Sequence, residues 1–168
     1  MRSFLLAAVM LAAAPFLSSG GALAAEKVNI VAAENFYGDL ARQIGGDHVA
    51  VASILSNPDE DPHLFETSPS TARSVADAKL VIYNGAGYDP WMEKLVSASP
   101  AHDRSAIVAA TLTGRKEGDN PHLWYDPATL PAVAKALSGE LAKRDPANAA
   151  DYKANLEKFS AAMDEINK

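Results

Sequence analysis

The chain is 168 residues long and 48% apolar, carries 15 Lys and Arg against 21 Asp and Glu for a formal net charge of −6, and has no cysteine. The acidic balance argues against a surface for nucleic acid or anionic membranes and is compatible with a cationic ligand. The missing cysteine rules out a disulfide framework and takes thiolates off the list of metal ligands.

In chain order, Arg2 gives a positive start, and Phe4 to Phe16 is an apolar run rich in Leu and Ala. Ser18-Ser19-Gly20-Gly21 then leads to Ala22-Leu23-Ala24, a small-x-small cleavage site. The layout is that of a secretory signal peptide over 1–24, and its apolar run is too short for a transmembrane helix. No cysteine sits at the cleavage site, so no direct membrane anchor is expected. The remainder of the chain has the length of one domain with a real core.

Val28 to Ala33 reads as a buried strand, Phe36 to Ile44 as a helix ended by Gly45-Gly46, and Val49 to Leu55 as a second strand. A loop from Ser56 to Ser68 precedes a helix from Pro69 to Ala78, with Ser68 as its cap. Leu80 to Tyr83 is a third strand broken by Asn84-Gly85, Pro90 to Ser97 a helix, and Ala106 to Ala109 a short fourth strand. A polar loop from Gly114 to Asn120 leads to a helix from about Pro127 or Thr129 to Lys143, then one from about Pro146 onward. Strands that are apolar without alternation, separated by helices, indicate an α/β fold. Its parallel sheet has about four strands flanked by helices on both faces. Ligands of such sheets sit at the carboxyl ends of the strands.

Two stretches on that edge rhyme: Asp61-Pro62-His63-Leu64-Phe65 and Asn120-Pro121-His122-Leu123-Trp124. Proline fixes its own φ and pushes the preceding residue toward an extended conformation, so each histidine leaves a stiffened loop in a defined direction. His63 and His122 are therefore the candidate metal ligands. Glu66 or Asp126 is placed to orient a ligand histidine, although Asp126 fits a helix cap equally well. His48 and His102 read as surface residues, Asp59-Glu60-Asp61 as a solvated loop that favours cations, and Trp91 and Trp124 as packing.

Three stretches in order resemble the zinc/manganese-type periplasmic solute-binding proteins of ABC importers. They are Asn57 to Glu66 with Ser68-Pro69-Ser70, Ala78 to Trp91, and Asn120 to Pro127. The resemblance implies one lobe of a two-lobe protein in which a long helix joins the lobes and the metal lies between them. On that basis residues 25–145 are the N-terminal metal-binding lobe and 146–168 the start of the interlobe helix, with the second lobe missing. Tyr152, Leu156, Phe159, Met163 and Ile166 form the apolar stripe of that helix, with nothing obvious to cover. His63 and His122 match the first two of about four ligands, and the others have no counterpart here. Asp89 stands where many relatives have glutamate, at a position that is not a ligand, and the 114–120 loop has no histidine-rich insertion.

The implied function is non-enzymatic: capture of a divalent transition metal, zinc or manganese, in the periplasm for a membrane permease of an ABC importer. Two alternatives stay open. One is a secreted metal-dependent hydrolase, although no His-Glu-x-x-His motif is present. The other is a one-lobe metallochaperone or a non-functional fragment.

Overall fold

The computed structural model describes residues 26–57 and 59–166, and the leader read over 1–24 lies outside the described residues. Strands β1 (Val28–Glu34), β2 (Val49–Leu55), β3 (Leu80–Tyr83) and β4 (Ser105–Val108) form one sheet in the order β2-β1-β3-β4. All pairings are parallel, with Ile30 between Val51 and Leu80, and Val81 beside Ala106. The helices are α1 (Asn35–Gly45), α2 (Pro69–Asp77), α3 (Pro90–Ala98), the single-turn α4 (Ala109–Leu112), α5 (Thr129–Arg144) and α6 (Ala149–Ile166).

Alternate strand residues enter two separate cores, which is why the central stretches of the strands are apolar on both faces. Ile30, Ala32, Leu80, Ile82 and Ile107 pack with Leu40 and Ile44 of α1, Leu137 and Leu141 of α5, and Tyr152 of α6. Val31, Ala33, Leu55, Val81 and Tyr83 turn the other way onto Val75 of α2 and onto Trp91 and Met92 of α3. The chain order reverses between β1 and β3, so the crevice at a topological switch point opens above Glu34 and the end of β3.

Local chemistry sets several boundaries. Ser68 Oγ accepts the Thr71 N–H at 3.1 Å and Pro69 starts α2, as expected from the sequence. Three features differ from expectation. β2 is an edge strand, and Ala50 and Ala52 on it are exposed rather than buried. Ala109 opens α4 instead of ending β4, because β3, the strand it pairs with, stops at Tyr83; the Ala110 N–H then bonds the Asn84 carbonyl at 2.9 Å. The apolar stripe of α6 does find a surface: Tyr152 is fully buried, and Leu156 and Phe159 pack on the α1–α5 core. Further along the stripe, Ile166 is 76% exposed.

Two helical glycines should respond oppositely to alanine. A Cβ on Gly45 would lie 2.4 and 2.5 Å from the two Val49 methyls, which cannot both rotate away, whereas one on Gly139 meets nothing within 4 Å. In urea unfolding, Gly45→Ala should lower stability by about 1–3 kcal/mol. Gly139→Ala should raise it by about 0.5–1 kcal/mol.

Candidate metal centre

The two Pro-His loops fold alike. Asp61 Oδ1 accepts the His63 N–H at 2.8 Å, and Asn120 Oδ1 accepts the His122 N–H at 3.0 Å. One 3₁₀ turn, Pro62–Leu64, contains the first histidine, and another, Leu123–Tyr125, comes directly after the second. The residue before each proline thus caps the histidine after it, a job that suits the short polar side chains of Asp and Asn. Both imidazoles are exposed at the carboxyl edge of the sheet.

Asn120 also selects the His122 tautomer. Its Oδ1 lies 2.9 Å from Nδ1 while accepting the backbone N–H. An amide oxygen can only accept, so Nδ1 carries a proton, and in the neutral imidazole Nε2 is the nitrogen with a free lone pair. The orienting role considered for Glu66 and Asp126 therefore falls to Asn120 at this histidine. Asp126 instead accepts the Ala128 N–H at 3.0 Å and faces Arg115 Nη2 at 3.3 Å, and these bonds hold its carboxyl below the ordinary range. Glu66 lies exposed in its loop.

The structure brings the two histidines to one aromatic neighbour. The Tyr88 ring is edge-on to both, 5.4 Å from His63 and 5.9 Å from His122. Trp124 packs 4.9 Å from Tyr88 and 5.4 Å from His122, and Phe36 lies 4.8 Å behind it. Backbone bonds reinforce the pairing. Trp91 Nε1 donates to the Pro62 carbonyl at 3.1 Å, and Asn84 Nδ2 donates to the Pro121 carbonyl at 2.8 Å. Each carbonyl belongs to the residue just before a histidine, and both donors belong to the 84–91 segment that links β3 to α3.

That segment turns sharply. Gly85, Ala86 and Gly87 have φ of 74°, 54° and 78°, a region that is costly for alanine. Gly85 cannot be larger, because a Cβ there would come within 2.8 Å of Val108 Cγ1. Asp89 closes the turn by accepting the Asn84 N–H at 2.7 Å and the Gly85 N–H at 2.8 Å. The Tyr37 hydroxyl donates to Asn84 Oδ1 at 2.8 Å, which fixes the amide that reaches Pro121. Burial, with the nearby Glu34 and Asp89 carboxyls, raises the Tyr37 phenol far above its ordinary range.

Glu34, the last residue of β1, is 3% exposed, and neither of its oxygens makes a well-formed hydrogen bond among the described residues. Burial first, and then the adjacent Asp89 carboxyl, raise its pKa well above the ordinary carboxylic range, against a smaller lowering by its own backbone N–H. Asp89 is fully buried; burial raises its pKa too, but the Asn84 and Gly85 N–H groups and the Glu34 side chain oppose that.

Of the remaining sequence candidates, His48 Nε2 is 2.9 Å from Asp151 Oδ2 and packs against Tyr152, joining the start of β2 to α6, while His102 is exposed in a turn. Trp91 packs on Phe65 at 4.5 Å in addition to its Pro62 bond. Among the described residues, no three His, Asp or Glu side chains gather closely enough to hold a metal ion. The candidate histidine pair is flanked by two exposed apolar side chains, Leu64 at 76% and Tyr125 at 79%. Sequence reasoning gave no role to Glu34, Asn84, Tyr88 or Asp89, although the last three lie in the Ala78 to Trp91 stretch that carried the resemblance and the Asn84-Gly85 turn ends a strand.

Comparisons with known proteins bear on this geometry. The model of a family described as zinc-uptake complex component A, periplasmic, matches residues 30–168. A metal ABC transporter substrate-binding lipoprotein of Streptococcus cristatus is 28% identical, over 98% of this chain and 57% of its own length. A manganese-binding lipoprotein of Halalkalibacterium halodurans is 29% identical, over 84% and 48%. Among solved structures, one of a protein named ZnuA is 27% identical with a TM-score of 0.71, over 84% of this chain and 58% of that one. The metal-dependent lipoprotein YcdH of Bacillus subtilis gives 0.75 at 22% identity, over 84% and 53%, a likeness of fold. The chain spans about half the length of the curated relatives it matches.

The Asn120 contact has a spectroscopic consequence. In nitrogen-15 NMR at about pH 8, where free imidazole is neutral, His122 should show the Nδ1–H tautomer, and Asn120→Ala should lose that preference.

Proposed function

The chain belongs to the zinc-uptake complex component A periplasmic family, matched over residues 30–168, and from that membership we propose that it captures a divalent transition metal, zinc or manganese, through His63 and His122. The family is one of uptake-complex components and not of enzymes, which removes the hydrolase reading.

The observation that carries the proposal is the shared frame of the two histidines. Side chains from loops far apart in sequence flank one tyrosine, and each loop hangs by the carbonyl before its histidine from the same segment. Neutral imidazoles serve zinc and manganese alike, so the choice of metal belongs to the ligands that complete the shell. A capture protein needs that shell nearly closed, because an open position bearing water is what a catalytic site keeps. About half of a typical relative's length lies outside this chain, and we assign the further ligands to a second lobe. The loaded protein would work in the periplasm, reached through the leader over 1–24, and hand its metal to the membrane permease of an ABC importer. The Streptococcus and Halalkalibacterium relatives are lipoproteins.

Equilibrium titration with zinc(II) and manganese(II) tests this. His63→Ala and His122→Ala should each weaken binding by about tenfold or more, as loss of a direct ligand should cost at least what loss of its hydrogen-bonded partner does. A protonated imidazole has no lone pair to give, so affinity should fall as the solution is acidified from about pH 8 to about 5.5. Equal affinity of both variants and the parent, or a flat pH profile, would remove the histidines as ligands.

A further inference from the structure

The strongest unexplained feature beneath the histidines is a buried acid with no conventional partner. Glu34 ends β1 at the switch point, nearly wholly enclosed, and its oxygens make no well-formed hydrogen bond among the described residues, its own backbone N–H being the one amide close to them. The groups that face it are the Asp89 carboxyl, the Tyr37 phenol, whose hydroxyl is committed to Asn84, and the Tyr88 phenol. An ionised carboxylate in that position would be an uncompensated buried charge beside a second one, which folding does not tolerate. A carboxylic acid, by contrast, has an O–H to donate, and Asp89 is the acceptor at hand.

We propose that Glu34 and Asp89 form one positioning unit of the metal site: the Glu34 acid donates its O–H to the Asp89 carboxylate, and Asp89 holds the 84–91 turn that carries both histidine loops.

The links from Asp89 outward are visible in the turn. With the Glu34 O–H added to the Asn84 and Gly85 N–H groups, Asp89 becomes a buried carboxylate with three donors, enough to keep it ionised. The two backbone bonds hold three successive residues at positive φ, alanine included. One end of the turn aims Asn84 at the Pro121 carbonyl; the other presents Tyr88 to both imidazoles and Trp91 to the Pro62 carbonyl. Neither acid reaches the metal ligands. They act through Asn84, Tyr88 and Trp91, as the outer supports of a metal site commonly do. The aspartate that the resemblance set aside as a non-ligand is the centre of the arrangement.

Raising the pKa of Glu34 on folding has a definite sign. The folded state holds its proton more tightly than the unfolded chain, so Glu34's contribution to stability is fully present below the ordinary glutamate range. It is lost as pH rises toward the raised folded value. Glu34→Gln keeps a donor and removes the titration; Glu34→Leu keeps the bulk and removes the donor.

The metal readout rests on His63 and His122 being ligands, so the experiment pairs it with one that does not. Carbon-13 NMR of the side-chain carboxyls in the parent, at about pH 5.5, just above the ordinary glutamate range, should show Glu34 as the acid and Asp89 as the carboxylate. Zinc(II) titration at about pH 7.5 should leave Glu34→Gln within about twofold of the parent, while Glu34→Leu and Asp89→Asn lose about tenfold or more. Stability should fall with rising pH more steeply in the parent than in Glu34→Gln. A Glu34 signal that titrates in the ordinary glutamate range, or Gln and Leu variants that bind zinc alike, would overturn the proposal. If His63→Ala also binds like the parent, it is the ligand assignment that fails, and the carboxyl signals still decide the pair.

Discussion

Two prolyl carbonyls hang from one short segment, and the candidate site depends on that suspension. Pro62 accepts from Trp91 and Pro121 accepts from Asn84, so the loops bearing His63 and His122 cannot move independently of the turn between β3 and α3. Each bond alone is worth about 1 kcal/mol net, but a buried donor left without its acceptor costs more than the bond contributes. Loss of the Asn84 contact would strand an amide in a site that also serves Tyr37.

The sheet explains why this segment occupies that position. Parallel strands covered on both faces leave only their ends for polar chemistry, and the reversal of chain order between β1 and β3 opens a crevice there. β1 delivers Glu34 to the floor of the crevice, β3 delivers Asn84, and the loops after β2 and β4 bring the histidines over the top. The apolar cores fix the strand ends, and the polar groups at those ends fix the loops. Tyr88 marks the transition, since it touches the imidazoles on one side and feels the Glu34 and Asp89 carboxyls on the other.

The strands and larger helices were legible in the sequence because their signals are local and distinct: apolar stretches for β1 and β3, the latter closed by Asn84-Gly85, the Ser68-Pro69 start for α2, and Gly45-Gly46 at the end of α1. The single turn of α4 was not, as four residues give no period and no cap residue precedes them. The burial of Tyr152, Leu156 and Phe159 was hidden because a stripe records what a helix covers but not where that surface lies. The Pro-His rhyme carried through to structure, since the capping by Asp61 and Asn120 is local. The supports were illegible for the opposite reason. A lone acid after Ala32-Ala33 reads as the start of solvent, and only the fold shows that Glu34 points into a closed space beside Asp89. Ranking residues by whether they can bind metal also passed over Asp89, whose role is to bind its own backbone.

Zinc K-edge X-ray absorption of the protein loaded with one equivalent of zinc addresses the joint role of the two histidines most directly. A nitrogen and oxygen shell at about 2.0–2.1 Å with the scattering pattern of two imidazoles is the expected result. A shell with one imidazole or none would contradict it, and the shared frame around Tyr88 would then be a packing arrangement without a metal to hold.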